Sequence, residues 1–354
     1  MRGWRRQYGR EVPARAYRKQ RDFYCFSRNK GLFFCVRLCY FIVEVFAMSF
    51  VMLVLGFVLL VWGADKFVAG ASALALRLGV SALLVGLTVV AFGTSAPELA
   101  VSLTAALQGA NEIAVGNVVG SNIFNLLVVA GLSAVMCPLV LDRVLLRRDW
   151  PMSILAAVIL CVMVSLDGGI SRLEGVLLLA LFAVVITSQI RAALKERSAA
   201  EEPAEAPMRP LMIAVNIVLG LACIILGGQL SVNGATGIAR MFGLSETLIG
   251  LTIVAIGTSL PELVTSLVAA RKGQNEIAMG NVIGSNLFNI LLILGVSATI
   301  SPIHVQPTAV IDTLVLIAAS VLCYIPARKG KLGRAPGAVM ALAYVVYTVY
   351  LIMR

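Results

Sequence analysis

Residues 79–125 overlay residues 243–289 at a constant offset of 164, without a gap and with 31 identities in 47 positions. A chain that carries one segment twice must give the two copies related surroundings, so its fold has to contain an internal symmetry. The matched stretches are apolar runs punctuated at the same places. GLTVVAFGTSAPEL answers GLTIVAIGTSLPEL, and NEIAVGNVVGSNIFN answers NEIAMGNVIGSNLFN. The best-matched positions are the polar ones, which a duplicated packing scaffold alone does not require.

The repeat lies in a chain that is 60% hydrophobic and 13% charged, where a soluble domain has about 25% charged residues. There is too little polar surface to face water, so lipid is the expected solvent. Apolar runs recur at about the 20 residues needed to cross about 30 Å of hydrocarbon. Ten spans are read, at 49–68, 80–106, 112–135, 150–167, 174–191, 211–230, 244–270, 276–299, 309–326 and 336–353. Each copy of the repeat then belongs to a set of five. Five is odd, so the second set enters the membrane from the opposite side, the inverted plan of many secondary transporters. The expected fold is all-α and integral to the membrane, with ten transmembrane helices as two inverted five-helix repeats. Residues 48–191 form the first repeat, 192–210 a disordered cytoplasmic linker rich in Ala, Glu and Pro, and 211–354 the second repeat.

Charge supports this layout and excludes another partner class. Of the formal net charge of +11, +8 sits in residues 1–47, which hold eleven Lys/Arg against Glu11, Asp22 and Glu44. A tail so basic, attached to a nearly neutral body, is not the basic patch of a nucleic-acid-binding domain. With the first span entering from outside, the inner loops carry 14 Lys/Arg and the outer side three, Arg172, Arg240 and Arg354. That asymmetry places both termini outside. The basic segment 1–47 would then lie outside too, against the rule. Residues 1–30 lack helical apolar periodicity, and 31–47 are apolar but interrupted by Arg37 and Glu44, so the segment is read as an extension, with Met48 before SFVMLVLGFVLLVWGADKF as the start of the protein proper.

The second and seventh spans each contain a break and an acid. Pro97 and Pro261 have no N–H, so the carbonyls of Gly93 and Gly257 lose their helical donors, and the glycines permit local unwinding. Glu98 and Glu262 follow at the start of new half-helices, whose N-termini favour an ionised carboxylate. A charged residue deep in a span costs about 2.5–3.5 kcal/mol or more, so two at equivalent positions need a compensating role. Thr94, Glu98 and Ser102 lie one helical turn apart, as do Thr258, Glu262 and Ser266. The third and eighth spans align Asn117, Ser121 and Asn125 on one face, and Asn281, Ser285 and Asn289 on its counterpart. Gly116 and Gly120 allow a neighbouring helix to approach closely. Packing and interhelical hydrogen bonding explain Asn117, Asn122, Asn281 and Asn286. Asn111-Glu112 and Asn275-Glu276 read as helix caps, and Asp65 as an interfacial residue.

Carboxylates, hydroxyls and carbonyls are hard oxygen ligands, suited to sodium and calcium rather than to soft metals. The seven cysteines form no CxxC pair and His304 is the lone histidine, in a loop. An intramembrane enzyme would need a His/Glu metal motif, an aspartate pair or a Ser/His arrangement, none of which the spans contain.

At these two motif pairs, GTSxPE and GNxxGSNxFN, each present twice, the sequence resembles the cation/calcium exchanger superfamily, and within it the prokaryotic sodium/calcium antiporters. The resemblance covers about residues 48–354. It implies a central site in which Glu98 and Glu262 coordinate calcium with the carbonyls of Thr94 and Thr258. Ser95, Ser121, Ser259 and Ser285 contribute to flanking sodium sites, and Asn125 and Asn289 complete the ring. Gly93, Pro97, Gly257 and Pro261 form the helix breaks. Some members carry aspartate at the position of Asn289, whereas this chain has Asn in both halves, leaving a formal site charge of −2. The implied activity is exchange of Ca²⁺ for Na⁺ by alternating access across a bacterial inner membrane. A proton-coupled calcium exchanger is the alternative, and an uncoupled cation channel stands behind it. No cofactor, catalytic residue, nucleic acid or obligate protein partner is expected; the partners are the lipid bilayer and the two ions.

Overall fold

The computed structural model describes residues 14–199, 208–244 and 255–353. Twelve helices carry the described fold, with four two-residue strands between them. They are α1 (Ala14–Leu78), α2 (Ala82–Thr94), α3 (Ala96–Leu107), α4 (Ile113–Met136), α5 (Leu145–Leu166) and α6 (Arg172–Ala199). The second half contributes α7 (Pro210–Met241), α8 (Ala255–Thr258), α9 (Leu260–Arg271), α10 (Asn275–Ile300), α11 (Thr308–Ala327) and α12 (Arg334–Met353).

Eight of these helices are long and apolar enough to cross a membrane, and α2 with α3 make a ninth span bent by 49°. The seventh span read from the sequence, 244–270, lies partly outside the described residues; α8 and α9 are the part that is seen. Polarity is inverted relative to a water-soluble domain. Thr94, Ser95, Glu98, Asn122, Asn125, Glu262, Asn281 and Asn289 are buried, while Val58, Leu173, Val218 and Val346 are more than half exposed. Such an arrangement is stable only with hydrocarbon outside.

Three spans differ from their sequence reading. The first crosses as Phe46–Leu78 rather than 49–68. Asp65 and Lys66 lower the hydropathy there, but nothing breaks the helix before Gly79, whose φ of +62° only glycine adopts freely. At 1.5 Å per residue this stretch is roughly 50 Å long. Asp65 is therefore well inside α1, where its carboxylate pairs with Lys272 Nζ at 2.6 Å. The sixth span runs to Met241 rather than 230, because the glycines and polar residues that dilute its hydropathy pack against α1. The same helix α1 extends back to Ala14, although residues 1–30 lack helical apolar periodicity. Residues 192–199, read as disordered linker, likewise continue α6; ALKERSA is a good helical sequence, and residues 200–207 lie outside the described part.

The contacts obey the symmetry that the repeat demands. α6 packs on α10 and α12 on α4, α5 meets α11, and α1 lies along α7. Strand β1 (Leu139–Val140) pairs with β4 (Lys331–Leu332), and β2 (Gly169–Ile170) with β3 (Ile303–His304). The pair Leu139–Leu332 is the image of Ile303–Ile170. Each half therefore completes the other's ladder. The central helices are α4 and α10, with 78% of their most apolar stretch buried, against 22% for α1 and 17% for α12.

Candidate functional site

The site begins at the two breaks. α2 ends at Thr94, Ser95 turns out of helical geometry at φ −82° and ψ 6°, and α3 starts at Ala96. Pro97 falls in the first turn of α3, where its missing N–H costs nothing. The second half repeats this with Thr258, Ser259 at φ −94° and ψ 5°, and Pro261. Glu98 and Glu262 thus occupy the first turns of α3 and α9, next to unsatisfied backbone N–H groups that favour negative charge. Both are fully buried.

Gly93 and Gly257 also let neighbouring helices approach the breaks. Neither has a positive φ. A Cβ on Gly93 would sit 3.0 Å from Phe67 Cζ and 3.1 Å from Leu221 Cδ1, and one on Gly257 would run into Val232. These glycines let the breaks lie close against α1 and α7.

Hydrogen bonds then tie the halves together reciprocally. Ser95 Oγ donates to Glu262 Oε1 at 3.0 Å, and Ser259 Oγ donates to Glu98 Oε1 at 3.1 Å. Within each half, Ser121 Oγ donates to Glu98 Oε1 at 3.5 Å and Ser285 Oγ to Glu262 Oε1 at 3.4 Å. Thr94 Oγ1 donates to Asn281 Oδ1 at 2.9 Å, and Thr258 Oγ1 to Asn117 Oδ1 at 3.4 Å. Asn117 Nδ2 donates to Ser102 Oγ at 3.0 Å and to the Glu98 carbonyl at 3.3 Å. Asn281 Nδ2 does the same with Ser266 at 2.9 Å and Glu262 at 3.3 Å. Every one of these bonds has an image 164 residues away.

Among the site residues, Glu98 Oε2, Glu262 Oε2, Asn125 Oδ1 and Asn289 Oδ1 are buried without a hydrogen-bond partner, four of ten such side-chain oxygens among the described residues. A buried acceptor without a partner costs about 1–3 kcal/mol, and more when charged. These four form two mirrored pairs: Asn125 and Asn289 lie one turn of α4 or α10 from the serines that bind the glutamates, and Glu98 and Glu262 lie in the first turns of α3 and α9. The chemistry is two carboxylates plus neutral oxygens. No group of three or more His, Cys, Asp or Glu side chains suited to a metal occurs among the described residues. Carboxylate, hydroxyl and amide oxygens are hard ligands, which suit ions such as sodium or calcium better than a soft metal.

Eight of the ten ligand candidates fall in the hydrogen-bond sets of the two glutamates, while Asn125 and Asn289 bond Asn286 and Asn122 of the opposite half. Asn122 and Asn286, read from the sequence as interhelical packing and hydrogen-bonding residues, make hydrogen bonds across the two halves. Their signal was present in the 164-residue offset, which repeats them as faithfully as the glutamates. Gly280 and Gly284, images of Gly116 and Gly120, lie against α2. A Cβ on them would come within 2.9 Å of the Leu83 carbonyl and 2.6 Å of the Leu87 carbonyl. Glu276 is not a cap of its own helix. Its Oε2 accepts from Leu83 N at 3.1 Å and so caps the start of α2 in the opposite half. The side chains of Asn111 and Glu112 fall outside the described residues. Cys137, Cys161, Cys223 and Cys323 are free.

The family model described as Sodium/calcium exchanger protein matches residues 48–191 and 212–353. The inner membrane protein YrbG of Escherichia coli is 37% identical over 297 residues, covering 80% of this chain and 90% of that protein. Sodium/calcium exchanger MaX1 of Methanosarcina acetivorans is 35% identical over 346 residues, covering 86% and 98%. A solved structure of the sodium-calcium exchanger NCX_Mj, soaked with 2.5 mM Na⁺ and 0.1 mM Ca²⁺, matches with a TM-score of 0.75 at 33% identity, over 84% of this chain and 96% of that one.

Proposed function

The chain belongs to the sodium/calcium exchanger family, and we propose that it is a secondary active antiporter exchanging Ca²⁺ for Na⁺ across a bacterial inner membrane. The observation that carries this reading is the mirrored pair of buried glutamates, each with one oxygen held by two serines and the other without a partner. Two carboxylates supply the −2 that balances one calcium ion. Glu98 and Glu262 bind it with the carbonyls of Thr94 and Thr258, while Ser95, Ser121, Ser259, Ser285, Asn125 and Asn289 supply neutral oxygens that two monovalent ions can share. Calcium and sodium then compete for the same carboxylates, and that competition enforces exchange. Ten helices in two inverted five-helix repeats expose the site to each side in turn. Both termini face the periplasm on the positive-inside count.

One observation supports a proton-coupled version. Asn125 and Asn289 are both amides, so the site holds no third acid and has less charge to attract several sodium ions. The test is ⁴⁵Ca²⁺ uptake into proteoliposomes loaded with sodium, with potassium-loaded and pH-jump controls. Uptake that needs an outward sodium gradient is the expected result. Uptake driven by a proton gradient in sodium-free buffer would replace sodium with protons, and uptake independent of any gradient would indicate a channel.

The serine bridges give a second prediction. Ser95→Ala and Ser259→Ala each remove one cross-half hydrogen bond to a charged oxygen. Each is expected to raise the half-saturating Ca²⁺ concentration roughly 10-fold, the equivalent of about 1.5 kcal/mol. Equal effects in the same flux assay would match the mirrored geometry.

A further inference from the structure

Asn122 and Asn286 lie at the middle of α4 and α10, and both are buried. Asn122 Nδ2 donates to the backbone carbonyl of Asn286 at 3.2 Å, and Asn286 Nδ2 donates to that of Asn122 at 3.4 Å. Their remaining oxygens accept from the other half's asparagine. Asn289 Nδ2 donates to Asn122 Oδ1 at 2.9 Å, and Asn125 Nδ2 donates to Asn286 Oδ1 at 3.2 Å. The two ends of an amide are nearly equal in shape, so its orientation is decided by its partners.

Here that decision passes along a chain anchored on groups that have no alternative. A backbone carbonyl can only accept, so Asn122 must turn its NH₂ toward the Asn286 carbonyl. Its Oδ1 then faces Asn289 and can only accept. Asn289 must in turn offer its own NH₂ to Asn122, which leaves its Oδ1 pointing away without a partner. If Asn289 were flipped, two oxygens would face each other at hydrogen-bond distance and an NH₂ would point toward the ion. The same logic runs from the Asn122 carbonyl through Asn286 to Asn125. Each half of the protein thus orients a ligand of the other.

We infer that Asn122 and Asn286 are positioning residues that hold the amide oxygens of Asn289 and Asn125 toward the transported cation. This rests on the reading of Asn125 and Asn289 as cation ligands. It goes beyond packing, because a packing residue has no reason to act through the orientation of its neighbour.

A double-mutant cycle tests it, read as the half-saturating Ca²⁺ concentration for uptake into proteoliposomes. Asn122→Ala alone frees Asn289 to flip and is expected to raise that concentration about 10-fold, as for the loss of one ligand oxygen. Asn289→Asp alone is expected to shift it about 5-fold or more, because it adds a charge at the ion. A carboxylate presents an oxygen to the ion whichever way it turns, and its second oxygen already opposes Asn122 Oδ1, so in the Asn289→Asp background Asn122→Ala is expected to leave the concentration unchanged or to lower it. An equal Asn122→Ala penalty in both backgrounds, or none in the wild type while Asn289→Asp shifts affinity, would overturn the positioning role and leave the ligand reading standing. If neither Asn289→Asp nor Asn125→Asp shifts Ca²⁺ affinity, the ligand reading itself fails and the inference with it. The mirror cycle of Asn286→Ala with Asn125→Asp must give the same pattern. Where an alanine variant is not monodisperse in detergent, Asn→Ser at the same position is read in the same cycle and against the same thresholds.

Discussion

Glu98→Gln and Glu262→Gln are each expected to reduce calcium transport by at least about 100-fold while leaving the folded protein intact. The substitution preserves shape, and the Gln Oε1 can still accept from both serines that hold Oε1 of the glutamate, Ser121 and Ser259 for Glu98 and Ser95 and Ser285 for Glu262. What changes is the unpartnered atom. Oε2 becomes an NH₂, a donor directed where a cation ligand was, and the formal charge of the site falls from −2 to −1. A unit charge about 4 Å from a divalent ion is worth about 8 kcal/mol at an effective dielectric constant of about 20, twice the monovalent value. Even if most of that is offset by dehydration of the ion, a residual loss of about 3 kcal/mol corresponds to more than 100-fold. Folding is spared because an amide is cheaper to bury than a carboxylate. The check is ⁴⁵Ca²⁺ flux together with size-exclusion behaviour and a melting curve in detergent. Wild-type flux in either variant would refute the carboxylate mechanism. A large difference between the two would contradict the mirrored network.

Much of this architecture is legible in the amino-acid sequence. The inside-out polarity follows from composition, the symmetry from the offset of 164, and the glutamates from the cost of burying a carboxylate in a span. These are local or periodic signals. The helix breaks at Pro97 and Pro261 follow from a missing N–H, and the chain turns within two residues of each proline. What sequence does not carry is which oxygen of each polar side chain is already in use. Asn117, Asn122 and Asn125 lie on the same helix and are the same residue type. Only their hydrogen-bond partners separate Asn117, which braces the Glu98 carbonyl and Ser102, from Asn122, which is anchored on a backbone carbonyl, and from Asn125, whose oxygen is left over. The partners of Asn122 and Asn125 are more than a hundred residues away. Glu276 misleads for the same reason, since an acid in a first turn normally favours its own helix, and here it reaches to Leu83 of the other half. The strand pairs are two residues long and leave no alternating pattern. Span ends depart from the hydropathy reading where polar residues or glycines serve a helix contact that hydropathy does not register.

That last case carries the largest expected effect on the fold. α1 and α7 meet along glycines whose positions are again images of each other, Gly56 against Gly227 and Gly63 against Gly220. A Cβ on Gly63 would sit 2.7 Å from the Gly220 carbonyl oxygen and 2.8 Å from Cys223 Cβ. One on Gly227 would sit 2.7 Å from both the Gly56 carbonyl oxygen and Leu60 N. Backbone atoms cannot swing aside, so a side chain at either position must drive the helices apart, and in lipid close packing is the main force that holds them. Overpacking costs about 1–3 kcal/mol where neighbours can repack, and more where they are backbone. Gly63→Leu and Gly227→Leu are therefore each expected to remove about 3 kcal/mol or more and to abolish monodisperse protein in detergent, with the alanine variants lowering the melting temperature by a smaller, mutually similar amount. Gly333→Ala, whose Cβ would meet nothing nearer than Pro336 Cδ at 4.0 Å, is the control and should melt as the wild type does. Glu98→Gln keeps the fold and loses transport, whereas Gly227→Leu loses the fold, so the pair separates ion chemistry from scaffold. An unchanged melting curve for Gly227→Leu would mean that α1 and α7 are not in backbone contact, and the mirrored packing of the two halves would have to be redrawn.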